Sequence, residues 1–420
     1  MDDKGKINPA QIISEGLRTA RPSDLREGMR EALIGLAGTR GYHALLVAFW
    51  LGIYAFSFIA LDAIRVGYHE AYATTREIPW GILISTYIFF VVTSTGLCIV
   101  SSIGHVFGVE SFQPIAKRAV FLSIVTIMCG FAVILLEIEN PFRMILYNMI
   151  TPNLRSNIWW MGTLYGAYMM FMIFEYGFML LNWHKWATLA GFSGLITGVA
   201  AHSNLGAIFG MLHGREFWYG PYMPIYFIAS AAMSGCAAIV LFTWLAYKFN
   251  HKQMEPAMLR SMVSLSKVTA IMISVVMFFT TWKIITGYAG GAGKVMTLNS
   301  FIFGPYAINF WVFEVALGMV IPFILMLASR GKNLGMMASA AAMMVVGIFF
   351  MRYDLVVLGQ VVSVFYELGV NEYKDLLNYT PSFHEFAIVA GSMFLLGVTF
   401  ILGEKVFKGH PAEEHHGEGH

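Results

Sequence analysis

Three ionisable side chains stand where their surroundings should exclude them. Glu137, Glu175 and His202 lie within or at the end of three consecutive apolar runs of this 420-residue chain. A carboxylate at the centre of a bilayer costs at least ~2.5 kcal/mol even on lenient insertion scales. Such groups therefore face a bundle interior or a wet cavity, and are functional candidates by default. An acid and a base held in apolar surroundings suit proton exchange with a molecule that gains or loses electrons. Arg143, Trp160 and His213 are close enough in sequence to add a cation, a flat aromatic wall and a second imidazole.

The elements that must position these groups are membrane helices. The chain is 57% hydrophobic and only 12% charged, which excludes a soluble globule of this length. Ten apolar stretches have spanning length: 43–68, 79–107, 117–138, 158–183, 186–212, 222–249, 257–287, 303–328, 334–353 and 383–407. The expected fold is all-α and polytopic, with no signal peptide expected before it. Residues 1–42 read as an amphipathic segment on the membrane surface, 43–408 as the membrane domain, and 409–420 as a disordered His/Glu-rich tail. FMIFE at 171–175 recurs as FWVFE at 310–314, four spans later and in the same direction. That echo predicts two four-helix bundles, roughly 79–212 and 222–353, with two peripheral helices.

An even span count puts both termini on one side. That side carries seventeen Lys and Arg against nine on the other, with Lys267 inside a span. The excess places the termini in the cytoplasm and the longer loops in the periplasm. At ~1.5 Å per residue, Glu137 and His202 then fall in the periplasmic half, with His213 at the rim. Arg352 and Asp354 close the ninth span on the same side. Glu314 falls near the midplane, Glu175 toward the cytoplasmic half, and Lys267 in the inner part of the seventh span. These last five residues form a sparser set that could lead protons inward.

Several chemistries can be excluded. Cys98, Cys129 and Cys236 stand alone, so this chain is expected to hold no iron–sulfur cluster and no structural metal. His202 has no histidine partner at matching depth, which argues against a transmembrane haem. A secondary transporter with midplane acids is the rival class. A quinone pocket fits better, with Glu137 and His202 exchanging protons at an apolar slot. Electrons must then come from a partner docked on the periplasmic loops, so the chain would not be catalytic alone.

The motifs also carry a resemblance. PWG at 79–81, EIENPFR at 137–143, Ser156 and Trp159 with Glu175, and the stretch from HSNLGAIFGML to PYMPIYFIASAAMSG resemble the NrfD/PsrC family. FWVFEVALGMVIPFIL at 310–325, RYDLVVLGQ at 352–360 and TPSFHEF at 380–386 resemble its ten-helix branch. That branch includes membrane subunits of periplasmic hydrogenase, alternative complex III, the Dsr complex and the quinone reductase complex of sulfate reducers. The resemblance implies a menaquinone or ubiquinone site near the last cluster of a periplasmic ferredoxin-like iron–sulfur subunit. It also implies further molybdopterin-type or multihaem cytochrome subunits, a bacterial inner-membrane location and no nucleic-acid partner. The family's usual acid motif, Asp-x-Gly-Arg/Lys-Pro, appears here as Glu137-Ile-Glu139-Asn140-Pro141, keeping the acid but not the Gly-Arg pair. By the same resemblance, His202, Glu175, Glu314 and Arg352 match family positions, and the last three are expected on a proton path.

Overall fold

The computed structural model describes residues 40–366 and 376–406. The expected tail 409–420, and all but the last three residues of segment 1–42, lie outside them. Among the described residues all regular structure is helical. The helices are α1 (Arg40–Val66), α2 (Ile82–His105), α3 (Gln113–Glu137), α4 (Pro141–Ile150), α5 (Asn157–Leu180) and α6 (His184–Gly210). They continue as α7 (Tyr222–Phe249), α8 (Pro256–Tyr288), α9 (Ala292–Ile302), α10 (Asn309–Ser329), α11 (Leu334–Leu358) and α12 (Phe383–Val406). Among the described residues nine of these are long and apolar enough to cross a membrane. The 24-residue α5 carries the tyrosines, tryptophans and Glu175 that lower its hydropathy, and it packs between α3 and α6 as the tenth. The chain is an all-α polytopic membrane protein.

Helix contacts run in two closed rings. One joins α2, α3, α5 and α6, and the other α7, α8, α10 and α11. The rings meet where α2 crosses α7 at Gly96 and Gly235. A Cβ on Gly235 would collide with the Gly96 carbonyl carbon, so only glycine permits this approach. Close backbone packing of this kind is what small residues provide in lipid, where no hydrophobic force drives helices together. Position follows from burial: the apolar window of α2 is 89% buried and that of α1 only 6%. α1 rests mainly on α12 and turns the rest of its surface to lipid. α12 is pinned to α3 by a buried bidentate ion pair, Arg118 Nε to Glu404 Oε1 at 2.7 Å and Nη2 to Oε2 at 3.1 Å.

Two connections hold helices where extended loops were expected. α4 fills the 140–157 connection and buries none of its residues. α9 follows α8 and delays the start of α10 to Asn309, whereas the sequence suggested 303. Glu314 is therefore the sixth residue of its helix and lies near the end carrying the longer connections, not at the midplane. We call that end the loop face, and the end where α1 begins and α12 finishes the termini face. Glu175 is nineteen residues into its own 24-residue helix and lies toward the termini face. The FMIFE echo thus places its two acids at opposite ends of their helices.

Candidate functional site

The loop face is closed by a lid built from backbone and aromatic contacts. Trp80 stacks on Trp218 at 5.4 Å, and Phe209 meets both edge-on at 5.3 and 5.0 Å. Trp218 donates to the Leu355 carbonyl at 2.7 Å. Gly359 is required beneath it, because a Cβ there would collide with the indole nitrogen. Gln360 clasps Trp80 by accepting from its N–H at 3.2 Å and donating to its carbonyl at 2.8 Å. Arg215 donates to the carbonyls of Glu77, Gln360 and Val362 at 2.6, 3.0 and 3.1 Å, and burial lowers its guanidinium below its ordinary pKa. The PWG and RYDLVVLGQ motifs are therefore joined in one structural clamp.

Beneath this lid the aromatic column continues to the chemistry. Phe209 stacks on Phe227 at 5.7 Å. The Phe227 ring lies 5.6 Å from the His202 ring and 5.5 Å from the Arg352 guanidinium carbon. His202 is fully buried, and its Nδ1 is 3.0 Å from the Tyr165 hydroxyl of α5. Its Nε2 is buried with no hydrogen-bond partner in the protein. The same holds for all three nitrogens of the fully buried Arg352. Leaving such groups unmatched is costly, so a cluster of them marks a place for a polar occupant.

Glu137 sits in a separate neighbourhood at the end of α3. Tyr72 donates to the Leu136 carbonyl at 2.7 Å, and burial together with the Glu137 carboxylate raises the Tyr72 phenol above its ordinary pKa. Glu385, fully buried, accepts from Ala73 N at 3.1 Å, Ser382 N at 2.8 Å and the Tyr379 hydroxyl at 2.6 Å. Ser382 accepts in turn from Glu385 N at 3.2 Å. TPSFHEF is thus a capping box that starts α12. Glu385 is also an electrostatic neighbour of Glu137, whose Oε2 is buried without a partner.

No hydrogen bond or ion pair joins Glu137 to His202 among the described residues. Arg143 does not pair with Glu137 there either. It lies exposed on α4 with its guanidinium 5.2 Å from the Tyr147 ring. Trp160 is 36% exposed and donates to the Leu154 carbonyl at 3.0 Å. His213 lies on the loop face, 4.3 Å from the Tyr219 ring.

The inward set also divides. Glu175 pairs with His105 of α2, Oε1 to Nδ1 at 2.9 Å, near the termini face. Gly191 lies across from it, and a Cβ there would be 2.6 Å from Glu175 Oε1, so a larger residue would push the carboxylate aside. Lys267 is exposed on the outside of α8 and does not enter a ring. Its long apolar stem lets the ammonium reach toward the surface, which removes the cost of burying it. A different lysine of the same helix, Lys283, turns inward near the loop face, where Glu314, Arg352 and Asp354 are its electrostatic neighbours or theirs. Sequence reasoning missed Lys283, Tyr165 and His105. The i, i+3 spacing of Lys283 from Thr280, on the face opposite the bulky Phe278 and Trp282, was the available signal.

Residues 70–364 match the family model described as polysulphide reductase, NrfD. The chain belongs to the NrfD family. This NrfD-family chain is 25% identical over 372 residues to a selenate reductase subunit of Mesobacillus selenatarsenatis, covering 79% of itself and 85% of that protein. It is 25% identical over 348 residues to the Hdr-like menaquinol oxidoreductase integral membrane subunit of Archaeoglobus fulgidus, again covering 79% and 85%.

Proposed function

We propose that the chain is the quinone-interacting membrane subunit of a multi-subunit respiratory oxidoreductase. It would exchange electrons between an iron–sulfur partner on the loop face and a menaquinone or ubiquinone pool, and it would not be catalytic alone. The names of the relatives support this class: one is a subunit of a reductase, the other of a menaquinol oxidoreductase. Further molybdopterin-type or multihaem subunits would complete the complex. The excess of Lys and Arg near the termini supports a bacterial inner-membrane orientation with both termini cytoplasmic.

The observation that carries the reading is His202. It is fully buried beneath the aromatic column, oriented at Nδ1 by Tyr165, and open at Nε2. A neutral imidazole whose one nitrogen is fixed presents a defined donor or acceptor at the other. Glu137, with its free Oε2, supplies a carboxyl at the loop-face end of α3. These two atoms suit a quinone head, which when bound supplies two-electron redox chemistry and two oxygens that gain or lose protons. His202 would pass one proton at Nε2 and Glu137 another at Oε2. Trp160 would wall the approach, and Arg143 and His213 would serve an anionic group at the entrance.

Proton uptake from the cytoplasm is a further part of this proposal. The His105–Glu175 pair is a buried acid–base couple near the termini face and would be its entry. Glu314, Arg352 and Asp354 would take part nearer the loop face, while Lys267 would contribute surface charge at most. The test of the whole reading is quinol turnover by the assembled complex. Glu137→Gln and His202→Ala should each abolish most of it, and full activity in both variants would exclude this site.

A further inference from the structure

One charge of the second ring, Lys283, has no part in the proposed function. Lys283 of α8, Glu314 of α10, and Arg352 and Asp354 of α11 converge below the loop face. The Glu314 and Asp354 carboxyl groups line one cavity, and Asn309 Nδ2 lies 3.5 Å from Asp354 Oδ1. The four formal charges cancel, which is how a low-dielectric interior tolerates them. Both acids lie in π-helical turns, a distortion that often marks functional sites.

The surrounding space gives the cluster a direction. A cavity of about 20 Å³ is lined by Tyr226, Thr280, Lys283, Glu314, Asp354 and Phe217, enough for about one water molecule. Thr280 Oγ1 and Asp354 Oδ2 are buried there without protein partners. Beyond Phe217 lies a second cavity of about 250 Å³, lined by His213, Arg215 and Glu216 on the loop face. Phe217 belongs to both linings, is only 5% exposed, and holds the Lys283 ammonium 3.8 Å from its ring centre. Glu216 steadies this wall by accepting from Lys294 N at 2.9 Å, in the first turn of α9.

We propose that Lys283 is the counter-ion of a buried acid pair, Glu314 and Asp354, and that this pair exchanges protons with loop-face solvent past Phe217. Phe217 is the gate, and Lys283 holds it by a cation–π contact. When the ammonium leaves the acid pair, one carboxyl takes up a proton to keep the chamber neutral. When it returns, that proton departs through the outer cavity. The other titratable or charged groups around the chamber are Tyr222 and Tyr226 of α7, Lys294 of α9, Tyr306 before α10, and Arg352. The inference deepens the proposed function by giving the proton route a loop-face port. Its test does not use quinone turnover, so either idea can fail without the other.

The complex carrying Lys283→Cys is placed in oriented vesicles and treated with membrane-impermeant thiosulfonates, with mass spectrometry of the labelled peptide. The three native cysteines are buried. Removing the ammonium lets one carboxyl take up a proton, so at neutral pH cationic and anionic reagents should react at comparable rates; at high pH, once that carboxyl ionises, the cationic reagent should react at least ~10-fold faster. Reaction should come from the loop face alone and slow in Phe217→Trp. Thr280→Cys, one helical turn away, reports on the same chamber if Lys283→Cys does not assemble. In infrared spectra Lys283→Met should add a protonated-carboxyl band that Glu314→Gln or Asp354→Asn then removes, while Lys283→Arg adds none. Labelling from the termini face, no charge preference even at high pH, or no new carboxyl band would overturn the proposal.

Discussion

Tyr165→Phe is the substitution that asks most of the proposed site. It deletes one oxygen, keeps the ring and leaves the edge-on contact with Tyr168 at 6.5 Å. What goes is the 3.0 Å bond to His202 Nδ1 in a position fully closed to solvent. Removing one partner of a buried hydrogen bond leaves the other unsatisfied, at about 1–3 kcal/mol. If that energy is lost from the productive orientation of the imidazole, quinol turnover falls by roughly 5- to 150-fold, since each 1.4 kcal/mol is a factor of ten. The bond also selects which ring nitrogen carries the proton, so ¹⁵N spectra of labelled His202 should show a changed tautomer population. The assay pairs those spectra with steady-state turnover in the assembled complex. Activity and tautomer both unchanged would refute the claim that Tyr165 orients His202. Lost activity with an unchanged tautomer would refute the stated mechanism.

Four further outcomes follow from the packing. Glu404→Ala should destabilise the fold by about 3–5 kcal/mol, because Arg118 is then a buried and unpaired charge; Arg118→Met with Glu404→Met should recover most of the thermal midpoint in detergent, and a double variant no better than the single would contradict this. Gly235→Ala should cost about 1–3 kcal/mol by driving α2 from α7. Gly166→Ala meets nothing within 4 Å and should be neutral or slightly stabilising, so equal effects at the two glycines in a melting experiment would show that the crossing is not tight. Ser382→Ala should loosen the start of α12 by about 1 kcal/mol, read as faster hydrogen exchange near Glu385.

Much of the architecture was legible because lipid imposes a simple rule. Backbone groups in hydrocarbon must bond within their own segment, so long apolar runs read directly as helices. The glycine- and serine-rich runs likewise announced close helix contacts, and Gly96 against Gly235 is such a contact. α4 and α9 were not legible, since each fills a connection between two spans and is too short to cross a membrane. Missing α9 also misplaced Glu314, because depth was counted from the wrong first residue.

Sequence by itself determined which ionisable groups had to be inside the membrane fold, since Glu137, Glu175, His202 and Glu314 interrupt runs that hydrocarbon otherwise fills. It also determined the family, through motifs spread from PWG to TPSFHEF. Only the tertiary structure decided how those groups are partnered. It gave His202 to Tyr165, Glu175 to His105, and the inward lysine of α8 to position 283 in place of 267. The physical reason is that depth along a helix can be counted from sequence, whereas azimuth depends on how each helix turns against its neighbours. Two lysines sixteen residues apart on one helix can therefore face opposite surroundings, the lipid surface for one and a closed polar chamber for the other.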